Sequence, residues 1–113
     1  MNDYDRFVIK SGCLLPALRR TIRDSQSQAP IDLTSYDVTF SLKQATETGV
    51  TVLIDEEEAI VVDAANGIVE YVWGAGDTDN AGFCMGVFYL TNIDGKKFAY
   101  PQENFIEVEI EDF

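Results

Sequence analysis

The side chains of this sequence that could do chemistry are mostly carboxylates. Asp55-Glu56-Glu57-Glu58 sets four acids side by side, and Asp77-Thr78-Asp79-Asn80 offers oxygens at loop spacing. Calcium prefers such ligands, but the second stretch lacks the twelve-residue acidic pattern of a calcium loop. Asp and Asn also build hydrogen-bonded turns without any ion, and a run of acids is ordinarily a solvated surface. We therefore expect a solvated turn at 55–58, a plain loop at 77–80, and no metal or cofactor. Histidine is absent, which removes the commonest general base and metal ligand. Cys13 and Cys84 form no CxxC pair, and neither a GxSxG nucleophile motif nor a glycine-rich phosphate loop is present. No residue is assigned to catalysis. Trp73 could stack on a sugar, but it ends an alternating run and is expected in the core.

Charge narrows the partners. The chain of 113 residues carries 8 basic and 20 acidic side chains, a net charge of −12. That balance repels phosphate backbones and anionic membrane surfaces, so neither nucleic acid nor membrane is expected as a partner. The charge is uneven. Arg6, Lys10, Arg19, Arg20 and Arg23 meet only Asp3 and Asp5 within the first 23 residues, while the rest of the chain is strongly acidic. Two readings follow: head-to-tail docking between copies or onto a neighbour, or neutralisation within the molecule.

The elements that must position these groups read as strands. Val38, Phe40 and Leu42 alternate with Thr39 and Ser41, and Ile106, Val108 and Ile110 alternate with Glu107, Glu109 and Glu111. The acidic row at 107–111 would discourage pairing with a like strand at a sheet edge. Asn66-Gly67 and Asp94-Gly95 separate apolar runs and favour hairpins. Gly74 to Gly82 is a further loop. Leu14, Leu18 and Ile22 recur every four residues and fit a short helix or one face of a strand. Residues 43–49 fit a helical turn or a loop. The length suits one domain, 1–113, and the turn spacing suits a β-sandwich.

One segment is apolar on both faces. Phe83 to Leu90 places Cys84, Gly86, Phe88 and Leu90 on one side and Phe83, Met85, Val87 and Tyr89 on the other. A sheet in a sandwich has one inner face. The Cys84 set is expected inside, which leaves the Phe83 set as an apolar patch of the kind that marks a contact site.

Several stretches, in order along nearly the whole chain, resemble a bacteriophage family. It is the immunoglobulin-like domain at the N-terminus of baseplate upper proteins and in small standalone virion proteins. The stretches are Phe7-Val-Ile-Lys-Ser-Gly12, Leu15-Pro16-Ala-Leu18 with Ile22-Arg23-Asp24, and Pro30-Ile-Asp-Leu-Thr34 leading into Val38-Thr-Phe40. They continue with Asp63 to Trp73, Gly76-Asp-Thr-Asp79 with Ala81-Gly82, and Thr91-Asn-Ile-Asp-Gly95 followed by Pro101. Cys13, Ser35-Tyr36 and the apolar Phe83 face depart from the family pattern. The alternating runs and turns give about seven or eight mainly antiparallel strands in an all-β chain, and the resemblance implies that they form an immunoglobulin-like β-sandwich, with a strand over Leu18 to Ile22 and no catalytic residues to carry over.

It also implies a non-enzymatic virion structural protein, an adaptor or attachment module of the tail, baseplate or fibre region, assembled in the host cytoplasm. Its partners would be other virion proteins and further copies of itself. The alternatives are a head decoration or head-fibre protein, or a carbohydrate-binding module that touches the host surface. The candidate protein interface is Phe83, Met85, Val87 and Tyr89, followed by Arg19, Arg20 and Arg23.

The opening Met-Asn-Asp-Tyr-Asp-Arg is polar and acidic and is not expected to act as a secretion signal. Both cysteines should therefore be reduced fillers. In denaturant without reductant, a thiol reagent should titrate both Cys13 and Cys84; a mass lower by two hydrogens with no free thiol would overturn this.

Overall fold

The computed structural model describes residues 5–113, so Asp3, counted in the charge reading above, lies outside the described residues. Nine strands run in chain order: β1 (Arg6–Lys10), β2 (Leu18–Thr21), β3 (Asp37–Thr46), β4 (Gly49–Glu58), β5 (Ile60–Asp63), β6 (Ile68–Tyr71), β7 (Gly82–Thr91), β8 (Lys97–Tyr100) and β9 (Ile106–Glu111). No helix occurs among the described residues. The larger sheet has the order β1-β9-β7-β3-β4, with β8 beside the end of β7 that β9 leaves free. The smaller sheet has the order β2-β6-β5. Apart from β1 and β9, which run parallel, the paired strands are antiparallel. The two orders match the B-E-D and G-F-C-C′ sheets of an immunoglobulin-like sandwich. The expected fold class holds, with nine strands among the described residues where seven or eight were expected.

Period-2 patterning fills the space between the sheets. Val38, Phe40 and Leu42 of β3, Cys84, Phe88 and Leu90 of β7, and Ile106, Val108 and Ile110 of β9 are buried from one side. Leu18, Val69 and Tyr71 close the core from the other, with Ile22, Leu33 and Trp73 from adjoining segments. Phe40 is the hub. Its ring centroid lies 4.8 Å from Tyr71 and 4.9 Å from Phe88, and Trp73 meets it edge-on at 6.0 Å. Gly86 makes room for it: a Cβ there would stand 2.9 Å from Phe40 Cζ.

The polar ends of this cluster are all satisfied. Trp73 Nε1 donates to the Pro16 carbonyl at 3.1 Å, and the Tyr71 hydroxyl donates to Asp77 Oδ2 at 2.7 Å. The buried Thr78 hydroxyl donates to the Cys13 carbonyl at 2.8 Å. Gly67 holds the β5–β6 hairpin at φ +69°, where an added Cβ would sit 2.7 Å from the Ile31 carbonyl oxygen. Both cysteines are free, Cys13 exposed and Cys84 buried.

Three local expectations need correction. Residues 43–49 form neither a helical turn nor a simple loop. β3 runs on to Thr46, and a tight turn leads into β4 at Gly49. The acids at 55–58 are solvent-exposed, but they lie on β4 and not on a turn. The β3–β4 register slips twice nearby, Glu56 adopts φ +47°, and its amide donates to Ser41 Oγ. Those bulges let a strand carry four consecutive acids with none inside. Finally, β9 is not an edge. β1 covers it, so its glutamates face cations instead of warding off a like strand. Leu18 and Ile22 are buried in and beside a strand, whereas Leu14 is 40% exposed, which removes the helix alternative.

Phe40→Ala should lower unfolding free energy by about 3–5 kcal/mol, and Gly86→Ala by about 1–3 kcal/mol through crowding of the same ring. Urea denaturation checks both. A near-zero change for Phe40→Ala would mean that this ring does not join the sheets.

Candidate protein interface

The Phe83 set lies on the outer face of the larger sheet, where β7 is the central strand. Register pairs define rows across that face. Val52, Lys43, Met85, Glu107 and Arg6 form one row. One step nearer the β3–β4 turn, Val50 stands opposite Ala45, Phe83 opposite Glu109, and Glu109 opposite Val8. In the other direction Val87 faces Ser41, and Tyr89 lies between Thr39 and Ala99.

Exposure is graded along this strip. Phe83 is 40% exposed, while Met85, Val87 and Tyr89 are half-buried by their neighbours on the sheet. Lys97 Nζ sits 4.7 Å from the Tyr89 ring centroid and is held there by Glu56 at 2.7 Å. Phe105 meets Phe83 edge-on at 5.9 Å. The open apolar area therefore centres on Phe83. Val50 (56% exposed) and Val52 (53%) extend it onto β4, and Val8 (40%) extends it onto β1. Sequence reading missed these three. Both strands hold three consecutive apolar residues, Phe7-Val8-Ile9 and Val52-Leu53-Ile54, so no alternation assigns a face, and only the register of β3 with β4 and of β1 with β9 carries them beside β7.

The arginines lie elsewhere. Arg19 on β2 donates to Glu70, its register partner on the outer face of the smaller sheet, at 2.8 Å. Arg20 Nε reaches both Asp5 oxygens at 2.9 and 2.8 Å. Arg23 Nη1 donates to the Gln28 carbonyl and borders an open groove of about 370 Å³ with Ser25, Tyr100, Pro101, Gln102 and Glu103. The two halves of the expected interface do not meet.

Most of the N-terminal cations are spent internally. Arg6 bridges Glu107 and Glu109, and Lys10 bridges Glu111. The Lys10 hydrogen bond, then its charge, holds the Glu111 carboxyl below the usual carboxylate range. Internal neutralisation thus accounts for much of the charge asymmetry.

The other candidate groups are already occupied. Asp77 Oδ2 accepts from the Tyr71 hydroxyl and from the Gly74 amide, both at 2.7 Å. Burial and this contact push the Tyr71 hydroxyl well above its ordinary pKa. The Trp73 ring is 2% exposed and cannot stack on a sugar. Burial likewise raises the Cys84 thiol pKa, which keeps it a thiol.

A scan against protein-family models finds no match, and a search of curated proteins finds no relative.

Arg20→Ala should cost about 1 kcal/mol, since it leaves the partly buried Asp5 without its paired donors. Arg23→Ala should stay within about 0.5 kcal/mol. Equal effects in thermal unfolding would contradict the distinction between them.

Proposed function

We propose that this chain is a non-enzymatic structural module of a bacteriophage particle, an adaptor or attachment unit of the tail, baseplate or fibre region. The observation that carries the reading is the apolar outer face of the larger sheet, open around Phe83 and widened by Val50, Val52 and Val8. Burying such surface contributes roughly 25 cal/mol per Å², and exposed apolar side chains clustered on one face mark a contact site. Adhesion of this kind needs no titratable group poised for chemistry. The ordered resemblance to phage immunoglobulin-like domains supplies the setting, and the β-sandwich supports it at the level of fold alone.

The net charge of −12 disfavours nucleic acid as partner, because cations paired to Glu70, Asp5 and the β9 acids are not free for phosphates. Other virion proteins and further copies of the chain are the partners this reading requires.

Mass spectrometry of purified particles, split into head and tail fractions, tests the reading. The chain should appear in the tail fraction at several copies per particle. Recovery with heads would favour decoration. Absence from both fractions would overturn a virion role.

A further inference from the structure

We propose that the outer face of the larger sheet is closed by the same face of a second copy of this chain. The inference rests on the structural reading above and names the occupant of that surface.

Charge is the first argument. A chain of −12 repels its own copies over most of its surface. The two rows that hold Val50, Val52, Phe83 and Met85 are different. They carry Lys43 and Arg6 against Glu107 and Glu109, and so they balance. The surplus acids lie farther along β4, at Asp55–Glu58. The apolar centre is thus also the part of the face where two copies can approach.

Complementarity is the second argument. Arg6 serves two carboxylates, Glu107 and Glu109, so that cluster keeps one negative charge. Lys43 is exposed and has no ion pair among the described residues. Within one copy β7 separates them, at roughly 10 Å for two strand spacings. A twofold axis parallel to β7, midway between two facing sheets, carries each copy's β3 over the other's β9. Lys43 then stands over Glu107 of the second copy, while Phe83, Met85 and Val87 meet their own counterparts. Such isologous pairing is the commonest closed arrangement, and aligned sheets pack in this way. The register of β4 on β3 brings Val50 and Val52 to the rim of the same contact.

Sedimentation equilibrium of the full chain, from micromolar to about 200 µM, tests the pairing, with circular dichroism to confirm folding. The wild-type chain should dimerise. Val87→Glu sets two carboxylates face to face and should give a folded monomer. If that variant fails to fold, Phe83→Glu at the more open position should give the same result. Lys43→Glu should weaken the dimer by about tenfold, and adding Glu107→Lys should restore most of the loss, as expected for a close charge pair. A wild-type chain that stays monomeric overturns the proposal, as does a dimer indifferent to both Val87→Glu and Lys43→Glu. A monomer that still enters particles, but not as Val87→Glu, keeps the structural reading and gives the face to another protein. A dimer dissolved by Val87→Glu, in a chain absent from particles, upholds the pairing and removes the virion role.

Discussion

The contact on which the rest of the molecule depends is the Phe40 ring seated over Gly86 and against Tyr71. Phe40 and Gly86 belong to neighbouring strands of the larger sheet, and Tyr71 belongs to the smaller one. One aromatic group therefore sets the separation and phase of both layers. The Tyr71 hydroxyl reaches Asp77, and the Trp73 indole reaches the Pro16 carbonyl. The loops before β2 and after β6 are tied to the core through these two polar ends. With the phase of β7 fixed by Gly86 facing inward, Phe83, Met85, Val87 and Tyr89 have no place but the outer face. The candidate interface is in this sense a by-product of how the core is packed.

Electrostatics works on a second level. Parallel pairing of β1 with β9 brings the early cations against the late acids, across nearly the whole length of the chain. These exposed pairs contribute little each to stability. Their larger effect is on what the surface offers to others. They occupy most of the basic groups and leave Lys43, beside Val52 and Met85, without an ion pair among the described residues. Among the described residues, the acids of β4 other than Glu56 have no such partner.

Much of this was legible before the fold was known. Strict alternation in β3 and β9 identified the inward side chains, because a half-buried strand leaves no other pattern; β7 is apolar on both faces, and its inner set followed instead from the small residues beside Phe88 and the register of the resembled family. Asn66-Gly67 and Asp94-Gly95 marked their hairpins because they tolerate positive φ. Trp73 was placed correctly by its position at the end of an alternating run. The failures share a cause. β4 alternates poorly because two bulges interrupt it, so its acids resembled a turn and Val50 and Val52 passed unnoticed. The position of β9 inside the sheet depends on β1, and no local pattern announces a partner some hundred residues away. Arg19, Arg20 and Arg23 are close in sequence but point to Glu70, Asp5 and Gln28, because alternation along β2 turns Arg19 and Arg20 to opposite faces and β2 ends before Arg23.

The two register slips in β4 have a consequence beyond shape. β4 is one border of the larger sheet, and a straight border of ten residues would be a template on which identical chains could add strand by strand without limit. The bulges twist its backbone out of line, and Asp55 to Glu58 would meet their own kind in a stack of in-register copies. Growth through the border is thus discouraged, while the pairing proposed for the face would end after one partner. A border interrupted in this way gives identical chains no straight edge on which to polymerise into fibrils.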